Sequence, residues 1–480
     1  MNPTPAEAAA TLQLVLVPSP GAGHVFPMVE LANQLLNRYP ALAVTVCIMK
    51  MPFKSTSFDF ATYKSSHVDR IKFIDLDPPT LDPNTPPSKR FSSFLEGHAP
   101  QVKKILSEHV AASNVSPSVV LDMFCTSFMA DAKELGVPSY VFYTFSATFL
   151  GLMFQLQALY DEGRFNPVQI KDSDTEFVEI SSLKTPIPGN LLPSAVVEPD
   201  LLLSLITHTR RTKEYASGIL INTFQDFESH AIASLNAGQS QSQTPPPIYP
   251  VGPIMELKVK DADHSAGPIM EWLDQQPESS VVFLCFGSMG SFDEEQVNEI
   301  AAALEKSGCR FIWSLRRPPP KSGGVKFPTD YEDVTEALPA GFLDRTRGVG
   351  KVIGWAPQTM ILAHPSTGGF VSHCGWNSVL ESMWFGVPVA TWPMYAEQQL
   401  NAVLLVRELE MAEEIRMSYR KESGEVIKAE EIEKGIMGLM SEESGGERRK
   451  KTKEMSEKSR KTVENGGASY HSIGRFVGDD

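Results

Sequence analysis

The sequence predicts an α/β protein made of two Rossmann-like parallel sheets. Short apolar runs typical of buried strands alternate with segments whose apolar residues recur at helical spacing. The alternation is interrupted by a polar, proline-ended run at residues 239–247 and then resumes. The 480 residues are also enough for two ordinary hydrophobic cores. We therefore expect one domain over residues 1–246 and a second over residues 247–461.

The composition excludes several classes of partner. A net charge of −15 leaves no basic excess for binding nucleic acid or an anionic membrane. The five cysteines show no paired spacing, which favours free thiols in a reducing compartment over disulfides or a zinc site. Residues 1–13 lack the pattern of a secretory signal, and no apolar run approaches the ~20 residues that span a bilayer. We expect a cytosolic protein without a membrane anchor.

The first domain begins with a strand, a loop and a helix. Leu12 to Val17 is the strand, and apolar residues recur at helical spacing from Pro27 to Leu36. The loop between them contains Gly21 and Gly23 but not the third glycine of a dinucleotide-binding fingerprint. His24 follows the carboxyl end of the strand, where open parallel sheets bind ligands. A structural histidine at the start of a helix is the alternative.

Four more strands are expected in this domain, at residues 43–49, 71–76, 118–121 and 139–143, followed by a fifth at 218–222. Helices are expected at 126–135, 147–159 and 201–215, and the proline-rich residues 166–199 are expected to form loops. Asp75 and Asp77 form an Asp-x-Asp pair that leads directly into two prolines. We interpret this pair as a solvated strand end and not as a metal site.

Asp122 follows the strand at 118–121 and therefore belongs at the same sheet edge as His24. A carboxylate at that position can orient an imidazole and stabilise its protonated form, as in serine hydrolases. The sequence has no serine in a Gly-x-Ser-x-Gly elbow, so the pair does not indicate a hydrolase of that type.

The second domain repeats the strand–loop–helix pattern. Strands are expected at 281–286, 310–315 and 351–354, with a helix at 293–307 and a charged, solvated helical region at 428–461. Ser288 lies in the small-residue loop after the first of these strands, which is one candidate contact for a phosphate.

Residues 355–398 contain the strongest functional signal. An apolar strand, 369–372, leads through a polar turn into a helix, and the unpaired amides of a helix N-terminus favour an anion. His373, Asn377 and Ser378 add side-chain donors there. Trp355 and Trp376 offer flat faces for a base. Carboxylates and amides suit hydroxyl groups, and this segment supplies Glu381, Glu397 and Gln398. These features indicate a nucleotide-sugar site; a buried strand–turn–helix unit with core tryptophans is the alternative.

The same segment closely resembles the signature box of plant family-1 UDP-dependent glycosyltransferases. The resemblance rests on Trp355, Ala356-Pro357-Gln358, His364, Gly368-Gly369-Phe370, the run HCGWNS, Glu381-Ser382, Gly386-Val387-Pro388, Trp392-Pro393 and Glu397-Gln398. It implies the GT-B fold, two Rossmann-like domains facing across a cleft. The acceptor would bind the first domain and the UDP-sugar the second. It also implies that a C-terminal helix, residues 462–480, packs back on the first domain.

The resemblance implies roles for individual residues. His24 would remove a proton from an acceptor hydroxyl, and Asp122 would balance the charge that develops. An α-linked donor would give a β-glycoside by inversion, without a metal or other cofactor. Gln398 is the usual companion of glucose in this family, so UDP-glucose is the expected donor, whereas Glu397 stands where many members have Asp. The residues expected at the donor are Ser288, Trp355, Ala356, Gln358, His373, Gly375, Trp376, Asn377, Ser378, Glu381, Tyr395, Glu397, Gln398 and Thr144.

The acceptor is less defined by the sequence. Gly23, Phe124, Phe145 and Met289 are candidate contacts, although aromatic residues at helical spacing more often belong to a core. The resemblance implies that the acceptor is a phenolic, flavonoid, terpenoid or hormone whose hydroxyl oxygen attacks the sugar; attack by nitrogen or carbon stays open, and we expect a monomer. Two other functions remain open. One is a protein that sequesters a small molecule without catalysis, and the other is an epimerase-like enzyme that converts a UDP-sugar without an acceptor.

Overall fold

The computed structural model describes residues 12–50, 70–112, 117–164, 166–237, 245–257, 266–320, 327–442 and 444–479. The chain divides into two compact units. The first unit comprises residues 1–165, 200–256 and 462–480, and the second comprises residues 166–199 and 257–461.

Fifteen strands occur in the described residues. They are β1 (Leu12–Val17), β2 (Leu42–Met49), β3 (Ile71–Leu76), β4 (Ser118–Asp122), β5 (Ser139–Tyr143), β6 (Phe177–Val178), β7 (Ile187–Pro188), β8 (Gly218–Ile221), β9 (Ile248–Pro250), β10 (Val281–Cys285), β11 (Arg310–Ser314), β12 (Gly350–Ile353), β13 (Thr367–Ser372), β14 (Val389–Thr391) and β15 (Ala412–Glu414).

The α-helices of the same ranges surround these strands. They are α1 (Ala22–Arg38), α2 (Arg90–Glu96), α3 (Ala99–Ala112), α4 (Met129–Glu134), α5 (Ala147–Asp161), α6 (Ser194–Val197), α7 (Pro199–Tyr215), α8 (Ser229–Ala237), α9 (Gly267–Leu273), α10 (Glu294–Ser307), α11 (Phe342–Arg345), α12 (Gln358–Ala363), α13 (Trp376–Phe385), α14 (Gln398–Val403), α15 (Ala429–Met440), α16 (Ser444–Val463) and α17 (Ala468–Val477).

The first unit contains a parallel sheet with the order β3-β2-β1-β4-β5-β8-β9. Its core forms because alternate residues of β1, such as Leu14 and Leu16, pack against the apolar face of α1, including Met28, Leu31 and Leu35. The chain starts at β1, moves outward to β3 and then reverses to β4. The strand order therefore switches between β1 and β4, and open α/β sheets bind ligands beyond the carboxyl ends of the strands at such a point.

The second unit repeats this arrangement with the order β12-β11-β10-β13-β14-β15, again entirely parallel. Its core includes Phe311 and Trp313 of β11, which pack against Phe342, and Trp392 after β14. The switch in strand order lies between β10 and β13. The two strands are in register at Cys285 and Ser372, so the loops that follow them begin side by side.

Two helices of the first unit differ from the sequence-based expectation. The helix predicted from Pro27 begins at Ala22, because the Val25 N–H already donates to the Gly21 carbonyl at 2.9 Å. His24 therefore lies in the first turn of α1 and not in a loop. The helix predicted at 126–135 is instead a 3₁₀ segment, Met123–Phe128, followed by α4. Asp122 caps that 3₁₀ segment by accepting from the Phe124 N–H.

The division of the chain also differs from the expected boundary at residue 247. β9 pairs with β8, so residues up to Glu256 stay with the first sheet. Residues 166–199 join the second unit, and they contain the antiparallel pair β6–β7 and α6 as well as loops. Most residues of the expected linker, 239–244, lie outside the described residues.

The C-terminal helix α17 belongs to the first unit. The Ser469 hydroxyl donates to the Gly252 carbonyl at 2.5 Å, and Phe476 packs edge-on against Tyr140 with 4.9 Å between ring centroids. Asp75, at the end of β3, forms an ion pair with Lys50 at 3.0 Å, and the backbone of Asp77 is bound by the Gln101 side chain. Across the described ranges, no helix is both long enough and apolar enough to cross a membrane.

Candidate active site

The topology of the first sheet brings His24 and Asp122 together. The pair lies at the switch point, because α1 follows β1 and Asp122 ends β4. His24 Nδ1 lies 2.8 Å from Asp122 Oδ2 and donates a hydrogen bond to it. The carboxylate is fully buried, while the imidazole keeps 21% of its surface exposed. A proton held on Nδ1 in this way leaves the lone pair of Nε2 as the basic site of the ring.

Aromatic rings and one hydroxyl surround the imidazole. The ring centroids of Phe124 and Phe145 lie 5.5 and 5.8 Å from that of His24, and 6.3 Å from each other in an edge-to-face arrangement. The Thr144 oxygen lies 3.2 Å from His24 Nδ1. Thr144 is expected at the donor sugar, but its described contact is with the catalytic candidate. Gly23 is the helical residue that precedes His24.

Two buried residues that support this site are not predicted from the sequence. Glu228 accepts the N–H groups of Ala147 and Thr148, each at 2.8 Å, and so fixes the start of α5 just after Phe145. His208 lies 2.7 Å from the Thr126 hydroxyl and edge-on to Phe124. Only their long-range contacts identify these residues, because each looks like an ordinary helix residue in the sequence.

The switch point of the second sheet brings Gly287 against His373. Gly287 follows β10 with φ 72°, and a Cβ added there would lie 2.5 Å from His373 Nε2. A Cβ on Gly375 would lie at the same distance from that atom. The imidazole is therefore held between two glycines. Ser288 is exposed beside it and Met289 is half-buried.

The side chain of His373 is buried. The residue is 6% exposed, and its Nδ1 has no hydrogen-bond partner among the described residues. Burial lowers the pKa of His373 from its ordinary 6.5 to about 4. The imidazole is therefore neutral at pH 7, with one nitrogen that donates and one that accepts.

This pKa predicts a dependence of stability on pH. Between pH 6.5 and about 4 the unfolded chain binds a proton at His373 that the folded chain does not, so acid lowers the free energy of unfolding. When the pH is lowered from 7.5 to 5, the free energy of unfolding should fall by about 2 kcal/mol more in wild type than in His373→Gln. Urea unfolding without ligand at the two pH values measures this difference. Exposed His230 provides the control, because His230→Gln should keep the wild-type dependence, and equal slopes for wild type and His373→Gln would contradict the account.

The first turn of α13 follows His373 directly. Cys374 has φ 61°, and its carbonyl accepts from the Asn401 side chain at 2.9 Å, an interaction that the sequence does not reveal. Gly375 is the N-cap of this helix, and as a glycine it supplies no side-chain cap. The first turn of the helix includes Asn377 and Ser378, and the dipole of a helix favours an anion at its N-terminus.

Gln358 links two other candidate residues on α13. Its Nε2 donates to the Ser378 hydroxyl at 2.8 Å and to a Glu381 carboxylate oxygen at 2.7 Å. Ala356, which is buried, accepts from the Gln358 N–H at 2.9 Å. These contacts fix three polar side chains in one cluster beside the helix N-terminus.

The two tryptophans of the segment differ in exposure. Trp355 is 42% exposed, and the guanidinium carbon of Arg316 lies 4.9 Å from its ring centroid. Trp376 is 3% exposed. The expectation that Trp376 offers a stacking face is therefore wrong, because its indole packs in the core. Trp355 is the exposed indole of the pair, and the sequence does not predict Arg316 as its neighbour.

The loop after β14 carries the remaining candidates. Gln398 Oε1 accepts the N–H groups of Met394 and Tyr395 at 2.9 and 3.0 Å, which closes the loop. Glu397 is buried and accepts from Asn401 at 3.0 Å. Burial raises the pKa of the Tyr395 hydroxyl above its usual range.

The predicted site residues thus fall into two groups, one in each unit. His24, Asp122, Thr144, Phe124, Phe145 and Gly23 lie in the first unit, and the other candidates lie in the second. In both units the residues gather at the carboxyl edge of a parallel sheet. Such edges bind nucleotides and small molecules in many open α/β proteins.

Comparisons with known proteins show which family the chain belongs to. Residues 198–420 match the family described as UDP-glucoronosyl and UDP-glucosyl transferase. UDP-glucose flavonoid 3-O-glucosyltransferase 6 of Fragaria ananassa is 48% identical over 480 residues, which cover 97% of this chain and 98% of that protein.

Solved structures extend the agreement to the fold. A UGT transferase from Siraitia grosvenorii, in complex with UDP, superposes with a TM-score of 0.87 at 44% identity, over 98% of this chain and 99% of that chain. UGT71G1 of Medicago truncatula, complexed with UDP-glucose, superposes with a TM-score of 0.83 at 38% identity, over 98% of both chains. Similarity of this degree over nearly the whole length shows that the chain has the GT-B fold and belongs to the plant UDP-glycosyltransferase family.

Proposed function

We propose that this glycosyltransferase transfers glucose from UDP-glucose to a hydroxyl group of a flavonoid or related phenolic, with inversion and without a metal ion. The observation that carries the proposal is the 2.8 Å hydrogen bond between His24 and the fully buried Asp122. A phenolic oxygen becomes a strong nucleophile when it loses its proton, and an imidazole whose Nδ1 is held by a carboxylate is suited to accept that proton.

The proposed reaction is a single displacement. His24 Nε2 takes the proton of the acceptor hydroxyl, and the carboxylate of Asp122 stabilises the imidazolium that forms. The acceptor oxygen bonds to the anomeric carbon of glucose while the bond from that carbon to the diphosphate oxygen breaks, and UDP leaves with the electron pair. Attack from the face opposite the leaving group converts the α-linked donor into a β-glucoside.

The second unit supplies the groups that we assign to the donor. Trp355 stacks on uracil, and Gln358 with Glu381 binds the uridine hydroxyls. The amides of α13, His373 and Ser288 bind the diphosphate, where they compensate the negative charge that grows as UDP leaves. Glu397 and Gln398 bind the hydroxyls of glucose.

Two observations support the choice of acceptor and sugar. The rings of Phe124 and Phe145 stand edge-to-face beside His24, an arrangement that suits a flat aromatic acceptor. The Fragaria relative is a flavonoid 3-O-glucosyltransferase by name, and the Medicago structure contains UDP-glucose.

The proposal is tested by acceptor-dependent release of UDP. UDP-glucose, UDP-galactose and UDP-glucuronate are each supplied with a panel of flavonoids, simple phenolics and terpenoid alcohols, with and without a chelator. We expect release with UDP-glucose and flavonoids that survives chelation. Binding of a flavonoid without any turnover would support the sequestration alternative, conversion of a UDP-sugar without acceptor would support the epimerase-like alternative, and comparable turnover with another sugar would contradict the donor assignment.

A further inference from the structure

The loop that carries Glu397 and Gln398 contains a strained residue. Ala396 has φ 57°, a left-handed conformation that costs a residue with a side chain about 1–2 kcal/mol. Its carbonyl accepts a hydrogen bond from the Ala195 N–H at 3.0 Å. The conformation is therefore stabilised by a segment that lies about 200 residues earlier in the chain.

Gln399 adds a second connection between the same two segments. Its Oε1 accepts from the Ser194 N–H at 3.1 Å, and its Nε2 donates to the Ser194 hydroxyl at 3.1 Å and to the Tyr419 carbonyl at 2.9 Å. Gln399 is fully buried and Ser194 is 6% exposed. A broken contact would therefore leave a buried polar atom without a partner, which is the costly case for a hydrogen bond.

Arg420 completes the connection. Its guanidinium donates to the Ser194 hydroxyl at 3.3 Å and to the carbonyls of Leu192 and Asn190 at 2.8 and 3.2 Å. The next residue, Lys421, donates its N–H to the Met394 carbonyl at 3.0 Å, at the other end of the same loop. One planar guanidinium thus fixes the backbone at 190–194 relative to the loop at 394–399.

We propose that Ser194, Gln399 and Arg420 form a positioning cluster that determines how the donor site binds its sugar. The inference rests on the proposed assignment of Glu397 and Gln398 to the glucose hydroxyls. The cluster holds the backbone of Ala396, and through it the two side chains that follow. Sugars such as glucose and galactose differ only in the direction of one hydroxyl, so a displacement of well under 1 Å in these side chains changes the discrimination between them.

The cluster also gives residues 166–199 a function. This segment lies between first-unit elements in the chain, yet it belongs to the second unit. Sequence changes at 190–195 would therefore alter donor selection, although they lie far outside the signature segment in sequence.

The test separates sugar binding from nucleotide binding. UDP lacks the sugar, so its affinity depends on Trp355, Gln358 and His373 but not on the loop at 394–399. Calorimetry measures the Kd of UDP and of UDP-glucose for wild type, Ser194→Ala and Gln399→Met, and kinetics give the ratio of kcat/KM for UDP-glucose and UDP-galactose. Both variants should weaken UDP-glucose binding about 10-fold, the equivalent of one buried hydrogen bond, while the Kd of UDP changes less than about twofold. The glucose-to-galactose ratio should fall by a similar factor.

Two control variants make the result decisive. Thr185→Ala removes a different contact of the same segment, the hydroxyl bond to Glu408, and should leave sugar binding unchanged. Gln398→Ala tests the assignment beneath the inference, and an unchanged affinity for UDP-glucose in that variant would refute the donor assignment itself. If Gln398→Ala weakens sugar binding, then equal losses for UDP and UDP-glucose in the cluster variants, or no loss in either, would overturn the positioning role. Arg420→Lys provides the same test should Gln399→Met fail to fold.

Discussion

Replacing His24 by alanine is expected to lower kcat/KM for glucosyl transfer by about 10²–10⁴-fold, the usual contribution of a positioned general base. The Kd of UDP should remain close to that of wild type, because the residues assigned to the nucleotide lie in the second unit. Stopped and steady-state assays of glucoside formation, together with calorimetry of UDP binding, measure the two quantities. His230→Ala removes an exposed histidine of the same unit and should behave as wild type. Retention of activity in His24→Ala would exclude His24 as the base.

The role of the Asp122 carboxylate in catalysis can be tested separately from its role in the fold. Asp122 uses its two oxygens for different purposes, since Oδ1 accepts from the Phe124 N–H at 3.0 Å and Oδ2 accepts from His24. Asp122→Asn keeps a carbonyl oxygen for the cap but replaces the other oxygen by an NH₂ group, which cannot accept a hydrogen bond from the Nδ1–H of His24. We expect a stable protein with a large loss of kcat, because the imidazole would lose its orientation and its counter-charge. An unchanged kcat in the Asp122→Asn variant would contradict the proposed role of the pair.

Gly287→Ala is expected to weaken donor binding by about 10- to 100-fold, which corresponds to the 1–3 kcal/mol cost of overpacking. The new Cβ would lie 2.5 Å from His373 Nε2, and the ring cannot relieve this clash by moving towards Gly375, which lies against the same atom. The imidazole would therefore be displaced from the position in which we propose that it binds the diphosphate. Calorimetry of UDP binding and chemical unfolding measure the effect.

Gly308→Ala is the matched control for this prediction. Gly308 has φ 61°, similar to the 72° of Gly287, but no atom lies within 4 Å of the position of its Cβ. Both substitutions therefore carry the same backbone cost of about 1–2 kcal/mol. We expect Gly308→Ala to lose that stability and to bind UDP like wild type. Equal UDP affinities in the two variants would show that the contact with His373 is unimportant.

The sequence predicts the architecture well, for an identifiable physical reason. β1, β3 and β5 have the predicted bounds, since buried parallel strands leave continuous apolar runs ended by polar loops. The alternation of strands and helices also predicts which loops share a sheet edge. The same alternation is enough to place His24 near Asp122 and to locate the turn at His373.

Contacts between distant segments cannot be predicted in this way. Nothing in the local pattern indicates that Arg316 lies over Trp355, or that Asn401 binds the Cys374 carbonyl. The burial of Trp376 also follows from which face of α13 meets the sheet, and a short helix with apolar residues on several faces does not reveal this. The local pattern of residues 166–199 predicts loops of the first domain. The structure assigns them to the second unit, where they contact Arg420 and Gln399, and the local pattern does not reveal these distant partners.

The stereochemistry of the product tests the central claim most directly. The wild-type enzyme is incubated with UDP-α-glucose and a flavonoid, and the anomeric proton of the isolated glucoside is examined by NMR before and after treatment with a β-specific glucosidase. Base-assisted single displacement predicts one β-glucoside, formed by wild type and formed about 10²–10⁴-fold more slowly by His24→Ala. An α-glucoside would mean that the reaction proceeds by retention and would contradict the role assigned to His24.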